Sequence, residues 1–213
     1  MTLTTIGVGA TAGAVAGVVL WQWLRTGTYR VEEDTPRMTL HRSWLAVPGA
    51  TLLGGLAGGM NDPWVGAAAW IYLVGAVALI WIDLDVHRVP DRFLRWWAPI
   101  LLGAVTIAAG AGSTGWATLG TALAGAGAMA LLFLILAIVG SMGLGDVKLA
   151  AVTGLMLGTF GGSAVIVGSV AAFAVGAAAG IVLMLRGAHR TSHVAFGPAI
   201  IIGATAAIAQ AGL

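Results

Sequence analysis

The sequence contains no cysteine and very few charged residues. None of its 213 residues is Cys, and only 8% are Asp, Glu, Lys or Arg. The absence of Cys excludes disulfide bonds, thiolate zinc sites and a cysteine nucleophile. A soluble domain carries about 25% charged residues. The shortage of charge, together with a hydrophobic content of 59%, therefore indicates a protein with several segments in a lipid bilayer.

Eight long apolar segments make up most of the chain. They are residues 3–24, 44–59, 64–84, 93–111, 116–139, 147–160, 163–185 and 194–211. Backbone polar groups in lipid must be paired internally, so the segments predict an all-α, polytopic transmembrane helix bundle of about eight spans. A span needs ~20 apolar residues, which makes the second segment marginal and the sixth short.

The cations are distributed very unevenly between the predicted connections. All ten Lys and Arg residues lie in odd-numbered connections or directly beside them: Arg25, Arg30, Arg37, Arg42, Arg88, Arg92, Arg95, Lys148, Arg186 and Arg190. Eight spans would place all of them on one side, which the positive-inside rule assigns to the cytoplasm. The sequence therefore predicts a multi-pass protein of the inner (plasma) membrane with both termini outside. The lipid bilayer is its expected partner, and no nucleic-acid-binding surface is predicted.

The first connection, residues 25–43, is the only long polar stretch between two segments. Its mixed charge and Pro36 predict an exposed connection that anchors the topology. A role in docking a substrate is the alternative.

Acidic residues cluster where the third and fourth segments meet, in "WIDLDVHRVPDR". Ionisable groups at a membrane edge are costly and often functional. Pro90 predicts that the third helix ends soon after Asp85, and Asp91 is predicted to cap the fourth helix. Asp83 and Asp85 are two positions apart and cannot share a helix face. Asp83 is predicted to face the bundle interior and Asp85 to be a supporting or interfacial acid.

A second acidic stretch, "GLGDVKLA", precedes the sixth segment. Asp146 is predicted to open the sixth helix, where free backbone amides and the helix dipole favour a carboxylate. A cap without chemistry is the alternative. Gly143 and Gly145 allow unusual torsion angles and close backbone approach. Lys148 is predicted to extend to the interface, with tuning of the acids or binding of a substrate carbonyl as alternatives.

Asp83 and Asp146, on separate helices, together predict a catalytic dyad. Two neighbouring carboxyl groups share one proton, so one can take a proton from water while the other polarises a carbonyl. Such a dyad hydrolyses a peptide bond without a metal or a covalent intermediate. Three alternatives remain open: a small proton- or ion-coupled transporter, a metal-dependent lipid head-group transferase, and an inert assembly subunit.

Three motifs resemble those of one family. "DLDVHRVPD" (residues 83–91) resembles the first motif of prepilin peptidases, and "GLGD" (143–146) is similar to the Gly-x-Gly-Asp motif of membrane aspartyl proteases. "AFGP" (195–198) is similar to the Phe-Gly-Pro that opens the last helix of the family. The motifs occur in the family's order and extend from the third segment to the eighth.

The resemblance implies a prepilin leader peptidase that needs no cofactor. It implies cleavage of a prepilin or pseudopilin precursor at the cytoplasmic face, with removal of a short basic leader. The implied catalytic pair is Asp83 and Asp146, and the substrate-binding or supporting residues are Gly143, Gly145, Lys148, Asp85, Pro90 and Asp91.

The expected organisation is an N-terminal two-helix segment with a cytoplasmic loop (residues 1–60), followed by the peptidase core (61–213). Family members that also N-methylate the product carry a larger insert after the first span, often with paired cysteines. The short first connection and the absence of Cys argue against N-methylation.

Overall fold

The protein is helical throughout the part of the chain that the structure describes. The computed structural model describes residues 3–32, 34, 36, 38–113, 115–139, 142–185 and 196–212, and within these ranges it contains no strand. The helices α1 to α8 are Leu3–Leu24, Ala46–Gly58, Pro63–Val86, Asp91–Ala111, Ala117–Val139, Leu144–Gly158, Gly162–Leu185 and Gly197–Gly212. A short 3-10 helix, Leu40–Leu45, precedes α2. The predicted all-α architecture is confirmed.

Five of the described helices are long and apolar enough to cross a membrane, namely α1, α3, α4, α5 and α7. Helices α2, α6 and α8 have 13, 15 and 16 residues. At 1.5 Å per residue they extend ~20–24 Å, less than the ~30 Å of a bilayer's hydrocarbon core. The eight-span count and the placement of both termini outside the cell therefore remain predictions.

Small residues allow the helices to pack closely. Gly125 of α5 and Gly154 of α6 face each other so closely that a methyl group on either would overlap the other's backbone carbonyl. Neighbouring α1 and α2 pack through glycines in the same way. Close approach of this kind is how membrane helices associate, because lipid removes the hydrophobic driving force between them.

Helix α3 lies at the centre of the bundle and contacts α1, α2, α4, α6 and α8. Its Tyr72 is fully buried, stacks on Trp97 of α4 with ring centroids 5.5 Å apart, and hydrogen-bonds Thr153 of α6 at 3.0 Å. The helix therefore has a fixed position relative to the neighbours that flank its C-terminal end.

Three connections meet at one end of the bundle. Asp85 of α3 binds Arg30 in the first connection, and Lys148 of α6 binds Asp91 of α4. We call this end, where the α1–α2, α3–α4 and α5–α6 connections lie, the charged end. The cations located there are Arg25, Arg30, Arg42, Arg88, Arg92, Arg95 and Lys148. Arg37, Arg186 and Arg190, which the sequence also placed there, lie outside the described residues.

Asp62 stabilises the opposite end of the bundle. Its carboxylate accepts hydrogen bonds from Trp64 N at 2.9 Å and Val65 N at 3.2 Å, which cap α3, and from Ser113 N and Oγ at 2.7 Å each. Burial acts to raise the pKa of Asp62, but the bonds from Ser113 and the two capping amides outweigh it and hold the pKa below its ordinary value.

We expect Asp62→Ala to lower the free energy of unfolding by about 1–2 kcal/mol, because the N-cap of α3 is lost. Asp62→Asn should retain most of that stability, since Asn caps a helix nearly as well. The depressed pKa means that the contribution of Asp62 is complete above the ordinary carboxyl pKa and is lost as the pH falls through the folded-state value. Denaturant unfolding in detergent at neutral and acid pH measures both effects. Equal losses in the Ala and Asn variants would contradict the capping role.

Candidate active site

The C-terminal end of α3 places Asp83 at the charged end, facing inward. The helix ends at Val86 because His87 adopts a left-handed conformation, with φ of 50°, and donates its N–H to the Asp83 carbonyl at 2.9 Å. Pro90 then occupies the position before α4, so the predicted end of α3 is confirmed. Asp83 lies in the last turn with only 4% of its surface exposed.

Asp83 and Asp146 are neighbours in the folded chain. Asp83 lies in the last turn of α3 and Asp146 in the first turn of α6, so both acids lie at the charged end, within range of an electrostatic interaction. A third element, the start of α8, reaches the same place, since Gly197 N donates to Asp83 Oδ2 at 3.0 Å. The structure thus brings together the two acids that the sequence predicted as a pair, with a backbone amide that it did not predict.

Asp146 lies in the first turn of α6, which begins at Leu144, three residues before the apolar segment 147–160. Gly143 is the N-cap, with φ of −74° and ψ of 146°, and Asp146 is partly buried. Gly143 and Gly145 do not use the unusual torsion angles that glycine allows, since neither has a positive φ. Gly145 instead permits close packing, since a Cβ there would lie 3.2 Å from Cβ of Val89 in the α3–α4 connection.

Asp85 is fully buried and binds the first connection. Its carboxylate accepts hydrogen bonds from Tyr29 Oη at 2.7 Å, Arg30 Nε at 2.8 Å, Arg30 Nη2 at 3.1 Å and Met38 N at 2.8 Å. The prediction that Asp83 and Asp85 face different directions is confirmed. Asp85 does not lie at an open interface, because the first connection covers it.

Tyr29 and Arg30 are residues that the sequence analysis missed. Tyr29 is 6% exposed, and its hydroxyl also accepts a hydrogen bond from Trp81 Nε1 at 3.1 Å. Burial, and next the hydrogen bond to Asp85, raise the pKa of Tyr29 to about 12. The first connection was expected to be exposed, but this part of it is anchored inside the protein. The feature of the sequence that could have drawn attention to Tyr29 is that the chain contains only two tyrosines.

Lys148 and Asp91 form an exposed ion pair between α6 and α4. Lys148 Nζ lies 2.6 Å from Asp91 Oδ1, and the two side chains are 51% and 63% exposed. The expectation that Asp91 caps α4 is wrong, because Pro90 occupies the cap position and Asp91 is the first helical residue. The pair joins the start of α4 to the first turn of α6, close to Asp146.

The described residues contain no group of three or more His, Asp or Glu side chains placed to hold a metal ion.

The fold and the site together define an integral membrane protein with paired carboxyl groups at one end of its bundle. The model of the type IV leader peptidase family matches residues 70–208, which is more than half of the chain. The chain belongs to the type IV leader peptidase family and is a membrane peptidase. The match extends from within α3 into α8 and includes Asp83, Asp146 and Gly197. Comparison with curated proteins and with solved structures gave no match.

Proposed function

We propose that the protein is an intramembrane aspartyl endopeptidase that removes the short basic leader from prepilin or pseudopilin precursors. The observation that carries this proposal is that Asp83 and Asp146 lie at the same end of the bundle, in the last turn of α3 and the first turn of α6, within the part of the chain that matches the leader peptidase family. Both lie in the proposed peptidase core, residues 61–213.

In the proposed reaction Asp83 and Asp146 titrate as a pair and share one proton. The ionised carboxylate takes a proton from water, whose oxygen attacks the scissile carbonyl. The protonated carboxyl donates its proton to the carbonyl oxygen, which gives a tetrahedral intermediate. Collapse of the intermediate breaks the C–N bond, and the departing amine takes the proton that was removed from water. A hydroxyl group of the intermediate returns its proton to the other carboxylate as the product carboxyl group forms, so that the pair again holds one proton. The step needs neither a metal nor a covalent intermediate.

The surrounding residues hold the two acids in place. Asp146 lies in the first turn of α6, where the dipole of the helix favours a carboxylate. Gly145 lets α6 approach the α3–α4 connection, and Asp85 fixes the first connection beside α3. The other supporting positions are Gly143 as the N-cap of α6, Pro90 at the start of α4, and the Lys148–Asp91 ion pair.

The charged end is proposed to face the cytoplasm, since the cations of the described residues lie there. The N-terminal segment, residues 1–60, contributes the first connection to this end. Asp83 lies in the last turn of α3 and Asp146 in the first turn of α6. Acids at helix ends suit cleavage of a substrate at the membrane surface, whereas a proton-coupled carrier would hold its acids near the bilayer midplane.

Cleavage of a synthetic precursor by the purified chain in liposomes tests the proposal. We expect a single cut at the end of the basic leader, detected from the product masses. With S-adenosylmethionine added, the new N-terminus should stay unmethylated. A correctly inserted chain that leaves the precursor uncut would contradict the proposal. A chain that carries protons across the liposome membrane would favour the carrier.

A further inference from the structure

We propose that Phe196 and Gly197, at the start of α8, position the Asp83 carboxyl group for catalysis. The Gly197 amide holds Oδ2 and leaves Oδ1 as the oxygen that exchanges a proton during the reaction. This inference rests on the proposed function, and it gives a physical role to the Phe-Gly-Pro motif of residues 196–198.

The hydrogen bond to Asp83 comes from a helix end. Gly197 is the first residue of α8, so its N–H has no partner within the helix and is free to donate. It donates to Asp83 Oδ2 at 3.0 Å in a buried environment. A buried carboxyl oxygen needs such a partner, and within the described ranges Gly197 supplies it. The bond fixes the rotation of the carboxyl group about its Cβ–Cγ bond.

Residue 197 has no room for a side chain. A Cβ built on Gly197 would lie 2.6 Å from Oδ2 and 3.1 Å from Cγ of Asp83. Contacts this short force the Asp83 side chain to move. The amide can therefore reach the carboxyl group only because the residue that carries it is glycine.

Phe196 fixes the position of that amide. Its ring packs against Phe133 of α5 at 6.0 Å and Phe173 of α7 at 5.9 Å, and these two rings stack at 5.7 Å. Gly176 of α7 lies directly beneath the Phe196 ring, where a methyl group would overlap it. Because two other helices hold the ring, the N-terminal end of α8 has a defined position relative to α3.

The bond decides which oxygen of Asp83 reacts. Since Oδ2 accepts the Gly197 N–H, a proton on Asp83 resides on Oδ1. When Asp83 is the protonated member of the pair, the Oδ1–H proton passes to the scissile carbonyl oxygen. When Asp83 is the ionised member, Oδ1 receives the proton from water. In either case the proton is exchanged at Oδ1, and the start of α8 sets the direction in which Oδ1 points.

Gly197→Ala tests the inference, with the precursor cleavage assay and separate values of kcat and KM. We expect kcat to fall about 100-fold, the scale of loss from small misplacement of a reacting group. We expect KM to stay within roughly twofold, because the bond acts on the transition state and not on substrate binding. The matched control is Gly212→Ala at the other end of α8, where a Cβ would meet only the side chains of Met60 and Phe160 at 3.2 Å. Its kcat should equal that of the wild type.

Phe196→Leu provides a second test that keeps the Gly197 backbone unchanged. Loss of the ring contacts should lower kcat about 10-fold with KM unchanged. If Gly197→Ala does not accumulate in membranes, Phe196→Leu decides, and a wild-type kcat overturns the inference. Asp83→Ala is measured in parallel. If it is inactive while both α8 variants keep wild-type kcat, only the positioning role is lost. If Asp83→Ala still cleaves, the proposed function itself is wrong.

Discussion

Replacing either Asp83 or Asp146 with Asn is expected to abolish leader removal. Asn is nearly isosteric with Asp but cannot exchange a proton, so the substitution tests proton transfer with little change in packing. General acid–base catalysis by one group contributes about 10²- to 10⁴-fold to a rate. Because each carboxyl group of the dyad depends on the other, we expect the loss of either one to lower the rate by a factor in the upper part of that range or more. The double variant should cleave no more slowly than either single variant, because the effects of substituting groups that act as a unit are not additive.

Co-expression with a candidate prepilin and a gel-shift assay measures this loss, with kcat obtained from the purified variants. The matched control is Asp34→Asn, an acid that also lies at the charged end but is bound to Arg88 at 3.0 Å. It should cleave at the wild-type rate. Blotting of isolated membranes checks that each variant inserts in normal amounts. A single Asp83 or Asp146 variant with normal cleavage would rule out the dyad mechanism.

Asp85→Ala is expected to have the largest effect on stability of any single substitution at the charged end. The Asp85 side chain is fully buried and binds Tyr29, Arg30 and the amide of Met38. Removing one partner of a buried ion pair costs about 3–5 kcal/mol. The Arg30 side chain keeps 22% of its surface exposed, so we expect a loss at the lower end of that range. The free energy of unfolding of Asp85→Asn should lie between those of Asp85→Ala and the wild type, since Asn keeps hydrogen-bonding capacity but removes the charge.

Asp91→Ala is the comparison for this prediction. It also removes the acid of an ion pair, but the Asp91–Lys148 pair is more than half exposed. Exposed pairs contribute at most about 1 kcal/mol. Denaturant unfolding in detergent measures both variants, and limited proteolysis reports whether the first connection is released in Asp85→Ala. Equal destabilisation by the two substitutions, or an unchanged proteolysis pattern in Asp85→Ala, would show that Asp85 does not anchor this connection.

Much of the architecture follows from local sequence. The composition and the length of the apolar segments predict an all-helical membrane protein, because hydrocarbon leaves a backbone few ways to satisfy its polar groups. Pro90 predicts the end of α3, since the geometry of proline acts within a few residues. The separate directions of Asp83 and Asp85 follow from helical periodicity alone.

Contacts between distant parts of the chain were not predictable in this way. Tyr29 and Arg30 lie more than fifty positions from Asp85, and nothing in their immediate surroundings marks them as its partners. The first connection therefore looked solvent-exposed, although it covers a buried acid. The bounds of α2 and α6 were also misjudged from hydropathy. The apolar stretch 44–59 includes part of the 3-10 helix that precedes α2, whereas α6 begins at Leu144, before the apolar stretch 147–160.

The sequence by itself determined that this is a helical membrane protein with acids at the ends of its third and sixth helices, because hydropathy, proline and capping act locally. Only the tertiary structure decided which acid meets which partner. Asp83 and Asp85 differ by two positions, yet one lies beside Asp146 and the other binds Arg30. The Gly197 amide at Asp83 is a backbone group, which every residue but proline possesses, so its role depends on where packing places the start of α8.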